Sequence, residues 1–111
     1  MFENTKQGAV DVVFGSDPLN GEHVERLRTL LEAYADDGQP HVVLDLQGVP
    51  LIDSAGLELL LDIHESYERL GGALKLASAN QLCGEILKVT GVGQQFEIYS
   101  DSGAAVGSFA R

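Results

Sequence analysis

The residues best suited to chemistry form a short run in the middle of the chain, the sequence DSAG at positions 53–56. The run lies between an apolar segment, 41–46, and a leucine-rich segment that begins at Leu57. Asp and Ser are the side chains that most often cap a helix, because their oxygens accept hydrogen bonds from its first N–H groups. The same N–H groups also favour a phosphate, whether on a bound ligand or on the serine itself. The run therefore predicts a helix start that either Asp53 or Ser54 caps, and it makes Ser54 a candidate phosphorylation site as well.

Acidic residues continue from Ser54 along the predicted helix. Glu58, Asp62 and Glu65 follow at helical spacing, and Arg69 comes four residues later, so all of them share one helix face. Such a face is typical of a solvated helix with Glu65 and Arg69 as an i,i+4 pair. Its continuity with Ser54, where a phosphate would add about −1.5 to −2 charges, also makes it a candidate docking surface.

The sequence gives little support for a catalytic, metal or nucleotide site. A serine hydrolase needs a base within reach of Ser54, and none of the histidines, His23, His41 and His64, lies in a recognisable catalytic pattern. Cys83 is the one cysteine, and no Cys/His set has the spacing of metal ligands. The glycine-rich nucleotide motifs do not occur. We predict no catalytic residue, no metal and no cofactor, with a small-ligand or nucleotide sensor at the helix start as an alternative.

Composition and charge narrow the class of protein. The chain has 111 residues, of which 44% are hydrophobic, and a net charge of −10. This length suits a single folded domain, 1–111. The negative charge would repel nucleic acid and anionic lipid, so a basic protein surface is the expected partner. No apolar stretch approaches the ~20 residues of a membrane-spanning helix, and a signal-peptide pattern is missing, so we expect a cytoplasmic location.

The elements that must position Ser54 follow from changes in hydrophobic periodicity. Strands are predicted at 9–14, 41–46, 73–77 and 96–99, with a short additional candidate within 2–6, and helices at 22–35, 54–70, 79–89 and in a short closing segment after Ser100. This alternation predicts an α/β fold with one mixed, mostly parallel sheet of four to five strands and about four helices. Ser54 would follow the carboxyl end of a central strand, where ligands of parallel sheets usually lie.

Periodicity also predicts which side chains share a face. Val10, Val12 and Phe14 alternate on one face of their strand, and Leu82 belongs with Cys83 to the apolar seam of its helix. In the helix that begins at Ser54, the expected core residues are Leu57, Leu60, Leu61, Ile63, Tyr67 and Leu70.

The segment VVLDLQGVPLIDSAGLELLL closely resembles the signature of STAS domains, the family of sulfate transporters and anti-sigma factor antagonists. The hallmark of this family is an apolar strand followed by an Asp-Ser-x-Gly-Leu turn that opens a helix. The later segment LKVTGVGQQFEIYSDSGAAV resembles the family's C-terminal part, with its leucine-rich helix, T-G turn, short strand and closing helix. The resemblance covers residues 9–108, and it implies a single STAS-type domain.

The resemblance also implies a function. In the anti-sigma factor antagonists of this family, the serine after the aspartate is phosphorylated by a partner that is both anti-sigma factor and serine kinase, and by position that serine is Ser54. The unphosphorylated protein binds this partner and thereby frees the sigma factor, a PP2C-type phosphatase is a possible second partner, and the antagonist itself is not an enzyme. The residues implied in partner binding are Asp17, Asn20, Asp53, Ala55, Gly56, Leu57, Glu58 and Asp62.

The chain departs from the family pattern in the loop after the second strand. Members often have a Gly-x-Leu-Asp type of turn there, whereas GSDPLNG (15–21) keeps Gly15 and Leu19 and places Asp17-Pro18 between them. In the Asp-Ser-x-Gly-Leu motif, Ala55 leaves Ser54 as the only hydroxyl. A second interpretation remains open, in which the domain is an accessory or scaffold module of a transporter or signalling complex.

Overall fold

The computed structural model describes residues 1–110, and for Asp37 the backbone only. Within this range the elements are β1 (Phe2–Gln7), β2 (Val10–Gly15), α1 (Val24–Tyr34), β3 (His41–Asp45), α2 (Ser54–Arg69), β4 (Ala73–Ala77), α3 (Gln81–Thr90), β5 (Ile98–Tyr99) and α4 (Ser102–Ser108). Short 3-10 turns follow α1 and α3. The predicted helices and strands are all present, although the last strand is two residues long instead of four.

The strands form one sheet in the order β1-β2-β3-β4-β5. β1 and β2 are an antiparallel hairpin, whereas all other pairs are parallel. The central strand β3 carries Val42, Val43 and Leu44 with no exposed surface, as expected for a strand covered on both faces. The predicted mixed, mostly parallel α/β fold is therefore confirmed. The carboxyl ends of β2, β3 and β4 meet at one edge of the sheet, and the loop that leads to Ser54 starts there.

The two faces of the sheet are covered unequally. Helices α1, α2 and α3 pack on one face, where Val13, Leu44 and Leu60 belong to the larger core. Within that core the Tyr67 hydroxyl donates a 2.6 Å hydrogen bond to the carbonyl of Leu31, which joins α2 to α1. The opposite face is covered by the seven residues of α4, over a core of Val10, Val12, Val43, Ala77 and Ala105.

A buried lysine holds α4 on this second face. Lys75 Nζ donates a 2.8 Å hydrogen bond to Ser108 Oγ and lies 4.2 Å from the centre of the Phe109 ring. Glu97 pairs with the same ammonium at 3.5 Å. A buried charge requires such partners, so α4 is attached by polar contacts as well as by apolar packing.

Three of the apolar residues that the periodic pattern places on buried faces are exposed instead. Phe14 shares a face with Val10 and Val12 as predicted, but it is 39% exposed because α4 does not cover it. Leu70 is 44% exposed, since it lies at the C-cap of α2, and Leu82 in the first turn of α3 is 52% exposed. Cys83 is buried as predicted.

Candidate functional site

Helix α2 begins with a cap that leaves the serine side chain exposed. Asp53 has an extended backbone, with φ −98° and ψ −171°, and its Oδ1 accepts the Gly56 N–H at 3.1 Å. Its carbonyl accepts the first helical bond, from Leu57 N–H at 2.9 Å. Asp53 is therefore the N-cap, which decides between the two residues that the sequence left open. Ser54 is the first residue of the helix and is exposed at the positive end of its dipole.

The loop between β2 and α1 lies directly against this helix start. Leu19 N–H donates to the carbonyl of Leu51 at 2.9 Å, and Asp53 N–H donates to the carbonyl of Leu19 at 3.0 Å. Leu19 and Ile52 thereby form a parallel bridge, and both side chains are buried. These two backbone bonds fix the loop beside the residues that immediately precede Ser54.

Gly56 makes this close approach possible. A Cβ atom at this position would lie 2.3 Å from the Leu19 carbonyl oxygen and 2.9 Å from Ile52 Cγ2, closer than real contacts allow. Gly56 is itself buried, so it positions α2 against the loop. Ala55 and Leu57, on either side of it, are half-buried. Their contact with a partner, and that of Gly56, stays a prediction.

The two loop residues singled out from the sequence are engaged within the chain. Asn20 Oδ1 accepts the N–H groups of Glu22 and His23, both at 3.2 Å, and thereby shapes the turn that enters α1. The Asp17 carboxylate accepts a hydrogen bond from the Met1 ammonium, which lowers the pKa of that carboxyl. Both residues lie in the loop beside α2, and a partner contact by either remains a prediction.

The acidic face of α2 is exposed from end to end. Ser54, Glu58, Asp62 and Glu65 are all exposed, as the spacing predicts. Arg28 of α1 donates a 3.3 Å bond to Asp62 Oδ2, so this carboxylate is partly neutralised. Within residues 1–110, Glu58 has no cationic partner. The face nearest Ser54 is therefore negative and open to solvent.

The sequence did not reveal the structural roles of Leu19 and Arg28. Leu19 was matched only to a turn pattern, and nothing in the spacing shows that it pairs with Ile52. Arg28 lies three residues after Glu25, with which it also pairs at 3.4 Å, and this spacing indicates only a solvated helix face. Its contact with Asp62 joins residues 34 positions apart, so it could be found only in the folded chain.

Features of other classes of site are not found in the described part of the chain. No group of three or more His, Cys, Asp or Glu side chains within residues 1–110 is arranged to hold a metal ion. Over the same range, every helix is too short or too polar to cross a membrane.

The sequence matches the STAS domain family over residues 2–105. A relative from Bordetella bronchiseptica, named anti-sigma factor antagonist BtrV, is 30% identical over 91 residues, which cover 82% of this chain and 78% of BtrV. Among solved structures, an anti-sigma factor antagonist from Thermotoga maritima superposes with a TM-score of 0.91 at 23% identity, over 99% of this chain and 95% of that one. The phosphorylated form of the Bacillus cell fate determinant SpoIIAA has a TM-score of 0.71 at 17% identity, over 94% and 96% of the two chains. The described helices and sheet match this fold, and the chain belongs to the STAS domain family.

Proposed function

We propose that this protein is an anti-sigma factor antagonist and that phosphorylation of Ser54 switches its binding to the anti-sigma factor. The relationship to BtrV supports the first part of the proposal. Unphosphorylated, the protein binds the anti-sigma factor and frees the sigma factor; the anti-sigma factor acts as the kinase, and a PP2C-type phosphatase restores the serine. These events take place in the cytoplasm, and the antagonist catalyses none of them.

The observation that carries this proposal is that Asp53 caps the helix, whereas Ser54 beside it is exposed. Because Asp53 accepts the capping hydrogen bond from Gly56, the Ser54 hydroxyl has no part in the cap and is exposed. A kinase can therefore modify it without breaking the start of α2. The N–H groups of the first helical turn and the helix dipole stabilise the added phosphate, so the fold changes little.

The effect of phosphorylation falls on binding instead. A phosphate on Ser54 adds about −1.5 to −2 charges beside the exposed carboxylate of Glu58. An interface that fits the neutral Ser54 hydroxyl would have to bury the phosphate dianion without its water. It would also have to make room for the larger group. A misplaced charge at an interface commonly costs several kcal/mol, and about 1.4 kcal/mol is already tenfold in affinity. Phosphorylation thus releases the anti-sigma factor.

Intact-mass measurement tests the site. The purified chain is incubated with Mg-ATP and its cognate anti-sigma factor kinase. We expect the parent chain and a Ser100→Ala control to gain one phosphate and Ser54→Ala to gain none, while Ser54→Ala still binds the anti-sigma factor. A phosphate on Ser54→Ala would contradict the assignment and would direct mapping to Ser78, Ser100 and Ser102.

Titration of the same partner tests the switch. Ser54→Asp, which carries one negative charge, should bind the anti-sigma factor at least about tenfold more weakly. Its melting temperature should stay within about 4 °C of the parent's, which corresponds to less than about 1 kcal/mol for a chain of this size. Parental affinity, or an unfolded variant, would overturn the mechanism even if Ser54 accepts phosphate.

A further inference from the structure

A groove of about 450 Å³ lies at the carboxyl ends of β2 and β3. It opens on the sheet face that α4 covers only in part. Phe14 continues the face of Val12, its register partner Glu3 in β1 lies directly opposite, and Asp45 continues the face of Val43. Since residues two apart in a strand share a face, the three side chains of Glu3, Phe14 and Asp45 all border the groove from that face.

The carboxylate of Asp45 is held in a fixed orientation. Its Oδ1 accepts the Gln47 N–H at 2.9 Å, and its Oδ2 accepts the Ser78 hydroxyl at 3.3 Å. Ser78 makes this bond from a backbone φ of +58°, which is uncommon for a residue with a side chain. A carboxylate with two such bonds still has free lone pairs, so Asp45 can accept a further donor from the groove.

The charges around the groove favour a cation. Within residues 1–110, neither Glu3 nor Asp45 forms an ion pair, and the Met1 ammonium at the rim pairs with Asp17. The Phe14 ring, 39% exposed, forms an aromatic wall beside the two carboxylates. A planar guanidinium suits this combination, because it stacks on an aromatic face and donates paired hydrogen bonds to a carboxylate.

We propose that this arginine groove, defined by Glu3, Phe14 and Asp45, accepts an arginine side chain of the protein that docks beside Ser54. The identity of that partner rests on the function proposed above, whereas the chemistry of the groove does not. The same two loops contribute to both sites. Gly15 opens the loop that Leu19 joins to α2, and Gly48, in the loop before Ser54, packs so closely that its Cβ would lie 2.6 Å from the Gly15 carbonyl oxygen. The groove and the start of α2 are therefore joined through these two loops, which is why we assign both to one partner.

The groove is tested without any partner protein. The full chain, labelled with nitrogen-15, is titrated with N-acetyl-arginine amide and, separately, with the neutral isostere N-acetyl-citrulline amide. We expect saturable shifts of the Gly15 and Gly48 amide signals with the arginine compound only. Equal shifts with both compounds, or shifts confined to the Glu58 and Asp62 region, would overturn the proposal.

Matched variants locate the binding. Glu3→Gln and Phe14→Leu each remove one wall without touching the core, and each should weaken arginine binding about three- to fivefold. Glu85→Gln removes another exposed carboxylate, from α3, and should change nothing. Unchanged affinity in both groove variants would overturn the proposal. Because neither kinase nor phosphate is used, such a failure leaves the Ser54 switch untouched, and a failed switch leaves the groove untouched.

Discussion

Helices α2 and α3 begin in the same way and differ in what they leave free. Each follows a parallel strand, and each has an N-cap with an extended backbone that accepts the N–H three residues on. Asp53 accepts from Gly56 at 3.1 Å, and Asn80 accepts from Cys83 at 2.9 Å. Judged by capping alone, the two helix starts are equivalent.

The two helix starts differ in the further hydrogen bonds of the cap side chain and in the residue that follows the cap. Asn80 Nδ2 also donates to the Val49 carbonyl at 2.7 Å and to the Leu46 carbonyl at 3.3 Å, so its amide holds the loop that leads to α2. It is followed by Gln81, which has no hydroxyl. Asp53 only caps, and it is followed by the exposed hydroxyl of Ser54. One helix start is a structural junction, and the other is the candidate site.

The largest expected effect comes from the glycine in the first turns of each helix. Gly56→Ala should lower the free energy of unfolding by at least about 2 kcal/mol, because the new Cβ would lie 2.3 Å from the Leu19 carbonyl oxygen. Gly84→Ala in α3 meets no atom within 4 Å and should raise it by about 0.5–1 kcal/mol. Urea unfolding measures both. A Gly56→Ala variant that is as stable as the parent would show that the loop yields to α2.

A smaller difference is expected between the caps themselves. Asp53→Ala should cost about 1 kcal/mol, the usual value of an N-cap. Asn80→Ala should cost about 2 kcal/mol, since it also leaves the Val49 and Leu46 carbonyls with fewer donors. Chemical denaturation of the two variants gives the comparison. Equal losses would mean that the loop contacts of Asn80 add no stability.

The smallest effect is expected at Ser54, the proposed phosphorylation site. Ser54→Ala should change the free energy of unfolding by no more than about 0.5 kcal/mol, as for other exposed positions without a cap role. Gln81→Ala, at the same position of α3, is the matched control. If Ser54→Ala alone lowered the free energy of unfolding by more than about 1 kcal/mol, the Ser54 hydroxyl would have a structural role.

The sequence was sufficient for the order of elements and for the position of Ser54 because both depend on local patterns. A buried strand, an Asp-Ser-x-Gly-Leu turn and a helical stripe can each be recognised within a few residues. The choice of cap could not be made, since Asp and Ser are both preferred N-caps and only the backbone shows that Asp53 takes this position.

Features that depend on distant parts of the chain could not be predicted. Periodicity places Phe14 on the face of Val10 and Val12, but its exposure depends on where α4 ends, some 90 residues later. The arginine groove has the same origin. It requires residues of three strands and an uncovered stretch of sheet, and neither leaves a local signal.

The Leu19 bridge to the start of α2 has a consequence for how binding specificity can diversify. Both of its hydrogen bonds use main-chain atoms of Leu19, and every residue except proline offers the same two groups. The side chains of Ser16, Asp17 and Pro18 make neither bond, so they can be replaced while the loop keeps its place. Substitutions at these three positions, whether in gene duplicates or by design, could therefore change the surface offered to a partner and leave Ser54 in place.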